Sequence, residues 1–235
     1  MDSTTITFVC IDTTHMDALK QQISRYSTHN MRFEYKIGRI ENITDLQSYN
    51  VVISPANCYG ELKGGIDMAY YKLLGREALA ERVRSYIRHY ADGEIHIGDF
   101  GIVPLEKLTD NTTPEYLVLC PTMAVPTRLP ADSRNAYLYT RAVIKSIRKL
   151  KSTVFKDKHL SLMCPIPCVG VGGMDYRIAA KQMKIAIQSM NGEGIIHAIN
   201  MSKKEEDLNV FGLPHYYACE KMQNMKQAYV ESTTL

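Results

Sequence analysis

Apolar runs of strand length alternate along the chain with segments whose apolar positions recur at helical spacing, the pattern of a sheet covered by helices on both faces. Ile6 to Ile11 (ITFVCI) predicts a short buried strand, followed by a polar helix near His15 to Arg25 and a second strand near Arg32 to Ile37. Val51 to Ile53 begins a third strand. From Asp67 to Tyr90 the spacing predicts a helix interrupted at Gly75, whose second half sets Leu79, Val83, Ile87 and Tyr90 on one face. Glu94 to Leu105 (EIHIGDFGIVPL) reads as a β-hairpin or two short strands, and Tyr116 to Cys120 (YLVLC) as a compact buried strand. The proline-rich stretch PTMAVPTRLPADS ends in Asp132-Ser133, a natural start for a helix from Arg134 to Lys151 with Ala136, Val143, Ile147 and Leu150 inward. Leu160 to Ile166 is the next strand, Asp175 to Ser189 the next helix and Gly194 to Ile199 (GIIHAI) a last strand. Nothing resembling a repeat, a low-complexity tract or a linker divides the chain. The expectation is one domain over residues 1–200, with 201–235 as a C-terminal extension packed on it.

Composition narrows the partners. With 235 residues and 45% hydrophobic content the chain is long enough for a substantial core, and its net charge of +3 is small and evenly spread. That balance gives no footing for duplex nucleic acid or a membrane surface as the main partner, and it is compatible with a small anionic ligand. No run approaches the roughly 18 apolar residues of a membrane span, and MDSTTITFVC lacks the features of a signal peptide, so the expected location is the cytoplasm or nucleus. Cys10, Cys58, Cys120, Cys164, Cys168 and Cys219 form no CxxC pair and lie mostly in or beside apolar runs, which favours buried thiols over disulfides or a metal site. No metal and no cofactor is expected. The basic run Lys145, Arg148, Lys149 and Lys151 reads as a solvated helix face, and the tyrosine pairs at 70–71 and 216–217 as core or partner surface.

Two segments share one grammar. SPANCYGELKGGID (54–67) and PIPCVGVGGMDYR (165–177) each lead from an apolar strand through a glycine cluster to an aspartate that opens a helix. In a parallel α/β sheet the loops at the carboxyl ends of strands line the ligand crevice, so two such loops can face each other across one site. Glycines there let the backbone approach a ligand, and N–H groups at a helix start suit a phosphate or diphosphate. Neither segment is a P-loop or a GxGxxG fingerprint. Cys168 beside the second cluster is a nucleophile only with a partner base, and His159 and His197 are distant in sequence.

SPANCYGELKGGID resembles the first signature of the macro domain, the ADP-ribose-binding fold, in which an apolar strand, NAAN, a glycine run and Val-Asp open a helix. The spacing from Asn57 to Asp67 matches the hydrolase-type members without a gap, and CVGVGGMD resembles the second signature. The form SPAN, with GELKGGIDMAYYKLLG, CPTMAVP and NAYL, is most similar to a bacterial and viral branch that begins with an extra strand and helix. The resemblance runs from about Ile6 to Ile187 and implies a three-layer α/β/α sandwich with a mixed, mainly parallel central sheet.

By that resemblance Asn57 would bond the distal ribose hydroxyls, Gly64, Gly65 and Ile66 would wrap that ribose and one phosphate, and Val169, Gly170, Val171, Gly172, Gly173 and Met174 would close over the diphosphate. Adenine would meet Asn42, with Glu41 as the second choice. Asp67 falls where the family's mono-ADP-ribosyl hydrolases keep an acid that orients water towards the anomeric carbon. Its position equally suits a helix N-cap, and a carboxylate there would be held ionised and be a weak proton acceptor. Three departures stand out. Ser54 replaces the first Asn of NAAN, Gly172 stands where hydrolases carry an aromatic that packs on the ribose, and no glutamate pair of the poly-ADP-ribose glycohydrolases follows the first loop. The wall that an aromatic would form is missing unless Met174, Tyr59 or Tyr176 supplies it. The implied function is hydrolysis of a bond at the distal ribose, in an ADP-ribosylated side chain, O-acetyl-ADP-ribose or ADP-ribose 1″-phosphate. The alternatives are a non-catalytic reader or sequestering protein, and a vestigial cradle with a structural role.

Overall fold

The computed structural model describes residues 3–42, 46–106 and 114–189. The expected strand Gly194 to Ile199 and the C-terminal extension lie outside the described residues.

Six strands form one sheet. They are β1 (Thr4–Cys10), β2 (Met31–Ile37), β3 (Val51–Ser54), β4 (Gly101–Pro104), β5 (Tyr116–Leu119) and β6 (Leu160–Pro165), in the order β2-β1-β6-β3-β5-β4. Only the β4–β5 pair is antiparallel. Five helices connect them: α1 (Thr13–Ile23), α2 (Gly65–Leu73), α3 (Glu77–Tyr90), α4 (Asn135–Ser152) and α5 (Tyr176–Gln188).

Strand residues alternate between two apolar layers, as a pleated strand buried on both faces requires. Ile6, Phe8, Ile53, Leu162 and Cys164 pack with side chains of α1, α4 and α5, among them Leu19, Val143 and Met183. Val9, Val52, Leu119 and Met163 pack on the opposite face with Tyr70 of α2 and with Leu79, Val83 and Ile87 of α3. The result is the expected α/β/α sandwich with a mixed, mainly parallel sheet. Helix α3 has no side-chain cap. A missing cap costs about 1 kcal/mol, whereas burying its three apolar side chains contributes roughly 1.5–3 kcal/mol each, so packing decides.

The break expected at Gly75 is present, where Gly75 (φ 113°) and Arg76 (φ 54°) separate α2 from α3. The Glu94 to Leu105 expectation is corrected. Only Gly101–Pro104 forms a strand there, together with an isolated bridge from Ile97 to Asp99. Ile95 is buried because its N–H donates to the Cys58 carbonyl at 2.9 Å and its side chain packs among α3 residues, so it is a loop residue with strand-like apolar spacing.

Candidate functional site

The topology opens a crevice between β6 and β3. The helix after β6 lies on one face of the sheet and the helix after β3 on the other, and the two strands pair only at Val51↔Leu162 and Val52↔Met163 before diverging. Such a switch point is where open α/β sheets bind ligands. A cleft of about 730 Å³ fills it, with Asn57 and the Gly64 to Asp67 turn on one side, Cys168 to Gly172 on the other, and Asp12, Arg39 and Glu41 at the far end.

The first loop is shaped from within. Asn57 is buried, and its Oδ1 accepts the N–H groups of Tyr59 and Glu61, each at 3.1 Å, while its Nδ2 reaches a Glu61 carboxylate oxygen at 3.5 Å. Its acceptor is thus used by the loop, and an amide N–H is what it can offer the cleft. Gly60 turns the chain at φ 66°, and a Cβ there would lie 2.6 Å from both Val83 and Ile87, so α3 leaves room only for glycine. Helix α2 then starts at Gly65 (φ 53°), with Gly64 as an N-cap that supplies no side-chain bond. The first-turn N–H groups of Gly65 and Ile66 therefore remain open at the positive end of the helix, where they suit an anion.

Asp67 does not cap this helix. It is the third helical residue, partly buried, and its Oδ1 accepts the Ser54 hydroxyl at 2.5 Å across the gap to β3. Desolvation raises its carboxyl from the usual range to about 6, with the Ser54 bond pulling modestly the other way. The expectation of a capping carboxylate too acidic to accept a proton is overturned, because burial outweighs the helix end.

The second loop distributes its groups differently. Cys168 occupies the left-handed region (φ 67°), and its carbonyl accepts the Met174 N–H at 3.0 Å, while the Gly173 N–H goes to the Gly170 carbonyl at 2.9 Å. Those two N–H groups are used inside the loop, and neither Gly173 nor Met174 lines the cleft. Among the described residues the N–H groups of Val169, Gly170, Val171 and Gly172 make no hydrogen bond, and all four residues face the cleft. Met174 instead anchors the loop by packing with Leu129 around Cys168 and Ala179. Gly172 has no room for a side chain: a Cβ would sit 2.7 Å from the Cys168 carbonyl oxygen and 3.0 Å from Leu129. At the end of this loop Asp175 does cap its helix, accepting the Arg177 N–H at 2.8 Å, and the Arg177 guanidinium holds its carboxyl down to about 2. Burial pushes the Cys168 thiol up to about 12, which removes it as a nucleophile.

At the far end Glu41 lines the cleft, whereas Asn42 is exposed and does not. Tyr59 and Tyr176 do not line it either; Tyr176 stacks on His15 with ring centroids 4.7 Å apart. Sequence reasoning missed Asp12 and the turn after β5. Asp12 follows a parallel strand and caps α1, which was a usable signal. Thr122, Met123 and Pro126 reach the cleft because the Thr122 hydroxyl donates to the Pro55 carbonyl at 3.0 Å and the Cys58 N–H to the Met123 carbonyl at 3.0 Å, contacts that no local pattern announces. Among the described residues no His, Cys, Asp and Glu cluster could hold a metal, and no helix is long and apolar enough to cross a membrane.

No family model matches the sequence. Among solved structures the chain is similar to an Oceanobacillus iheyensis macrodomain mutant with ADPR, at TM-score 0.50 and 16% identity over 81% of this chain and 91% of that one. It is also similar to the macrodomain of Mycobacterium tuberculosis DarG (TM-score 0.48, 21% identity, 67% and 90% covered). The Oceanobacillus iheyensis macrodomain with MES bound is a third (TM-score 0.48, 18% identity, 75% and 89% covered). The first likeness shows the fold, and the chain has the architecture of a macrodomain.

Proposed function

We propose that the protein binds ADP-ribose or a related NAD-derived nucleotide in the cleft and hydrolyses a bond at its distal ribose. The observation that carries this is Asp67: a carboxylate on the cleft wall, raised to about 6, beside a helix start whose N–H groups are open. One macrodomain of like fold is known with ADPR, which supports the ligand class. In this reading the open N–H groups of Gly65 and Ile66 and those of Val169 to Gly172 hold the diphosphate from opposite sides. Asn57 gives its amide N–H to a ribose hydroxyl. A water beside Asp67 bonds to the anomeric carbon as the bond to the departing carboxylate or phosphate breaks, and the water's proton passes to Asp67. A base of this strength is largely ionised at neutral pH and still accepts a proton, the compromise that general-base catalysis favours.

A non-catalytic reader is the second reading, favoured by Gly172, which cannot be replaced by the aromatic that packs on the ribose in the hydrolases it resembles. Calorimetric titration of ADP-ribose, followed by turnover of an ADP-ribosylated peptide, O-acetyl-ADP-ribose and ADP-ribose 1″-phosphate, separates them. Micromolar binding with turnover that falls as pH drops below about 6 is expected. Binding without turnover on any of the three would establish the reader, and absence of binding would sink both.

A further inference from the structure

Ser54 ends β3 with its side chain fully buried, and its hydroxyl donates to Oδ1 of Asp67 at 2.5 Å. Both partners are held from elsewhere. The Ser54 carbonyl accepts the Cys120 N–H at 2.9 Å, which continues the ladder between β3 and β5. Helix α2, which carries Asp67, is tied to the same strand by the Tyr70 hydroxyl, which donates to the Ile53 carbonyl at 3.1 Å. A carboxylate has two oxygens, and this contact takes one of them. Among the described residues Oδ2 has no hydrogen bond, and Asp67 lines the cleft.

We propose that Ser54 is a positioning residue that acts through Asp67: by binding Oδ1 it fixes the plane of the carboxyl and selects Oδ2 as the oxygen presented to the water above the distal ribose. The proposal rests on the hydrolase reading for its consequence and on the Ser54–Asp67 contact for its substance. A hydroxyl suits the place because it donates one hydrogen from a side chain small enough for a site with no exposed surface. Burial raises the carboxyl, and the same bond, by favouring the ionised form, pulls the other way and extends the range in which Asp67 can work to lower pH.

The neighbours that feel this charge are few. Tyr70, one turn along α2, is the buried group on which the Asp67 charge acts; burial pushes its hydroxyl up and it stays neutral over the working range. The titratable and charged side chains lining the same cleft are Asp12, His15, Arg39, Glu41, Glu61 and Lys63, after the ends of β1 and β2, at the start of α1 and in the first loop.

The test follows the Asp67 carboxyl by carboxyl-carbon NMR in the full chain, with Asp67→Asn identifying its resonance, alongside the pH profile of turnover. In the wild type half-ionisation falls near 6. Ser54→Ala should move that midpoint and the acid limb of kcat/KM up together by roughly one pH unit, as expected when a carboxylate loses one donor. It should also lower kcat/KM above the limb roughly tenfold through misorientation, with ADP-ribose affinity little changed. Ser54→Thr, which restores the hydroxyl, should return both, and Ser54→Ala should add nothing in an Asp67→Asn background. Urea unfolding confirms that each variant is folded; Ser54→Cys, a weaker donor of similar size, replaces the alanine variant if that does not fold. An unmoved midpoint, or an equal rate loss in the Asp67→Asn background, overturns the proposal. A wild type that binds ADP-ribose without turning it over overturns the hydrolase reading, and the NMR midpoints then still decide whether Ser54 governs Asp67.

Discussion

The two glycine loops begin alike and end differently. Each leaves a buried parallel strand, turns through glycines and carries an aspartate into a helix. Asp175 stands one residue before its helix in a non-helical conformation, so its carboxylate folds back onto the Arg177 N–H and closes the helix end. Asp67 stands two residues inside its helix, so its carboxylate reaches across to Ser54 of the strand and leaves the helix end open. A difference of three positions relative to the helix start thus separates a stabilising cap, held down to about 2, from a desolvated acid raised to about 6. An aspartate after a glycine loop has no fixed meaning until the first helical residue is known.

Exchanging the two acids for neutral residues should break the comparison most strongly. Asp67→Asn should lower kcat/KM about 100-fold or more while ADP-ribose affinity stays within a few-fold, the usual scale for a lost general base. Asp175→Ala should leave kcat/KM within about threefold, since its effect is on helix stability at about 1 kcal/mol. Steady-state kinetics on both variants decides this, and equal losses would end the distinction.

The glycines sharpen it next. Gly172→Ala drives a Cβ into the Cys168 carbonyl at 2.7 Å and should cost about 1–3 kcal/mol in urea unfolding. Gly64→Ala meets nothing within 4 Å and has an extended φ of −154°, so it should stay within about 0.5 kcal/mol. The second loop is rigid by packing where the first is open.

The smallest effect is the dependence of stability on pH. Asp67 binds its proton more tightly folded than unfolded, so between about 6 and 3.8 the native state gains stability as pH falls, and above 6 it carries a desolvated charge. Asp67→Asn should therefore be more stable than wild type by about 1 to 2 kcal/mol at neutral pH, a figure reduced for its partial exposure, and the gap should close towards pH 4. Asp175 has the opposite sign: its contribution is complete above 3.8 and is lost as pH falls towards about 2. Urea midpoints across this range, for wild type and both single variants, measure the two slopes.

Much of this was legible in the sequence because the sheet is buried on both faces. Continuous apolar runs such as Val51-Val52-Ile53 and Tyr116 to Leu119 have few other homes. Leu79, Val83 and Ile87 of α3 and Ala136, Val143, Ile147 and Leu150 of α4 are buried as their spacing requires, whereas Tyr90, expected on the same face of α3, stands exposed at the helix end. Where backbone freedom or tertiary contact decides, legibility fails. Gly64-Gly65 could start a helix at several registers, and the start at Gly65 moved Asp67 from the cap into the helix. Gly172 reads as a lost aromatic, but the Cys168 carbonyl and Leu129 account for it: the first contact depends on the left-handed backbone of Cys168 and the second on a distant segment, and neither shows in a residue pattern. Ile95 and Ile97 alternated like a strand because α3 and the first loop bury one of them.

The sheet itself has its shortest ladder where β3 meets β6, at two register pairs between two well-paired halves. Mechanically this is a seam: one half is laced through β1 over the length of β6, the other through β5. Beyond those two pairs the join is made at its base, where the Asn50 N–H donates to the Ser161 carbonyl at 3.0 Å and the Ser161 N–H to the Asn50 Oδ1 at 2.9 Å, leaving the cleft end unlaced. A nucleotide gripped by the loop after β3 and the loop after β6 would span that seam as a cross-tie. Its binding free energy would add to the resistance of the two halves to parting, so that occupancy of the cleft and integrity of the whole sheet would rise and fall together.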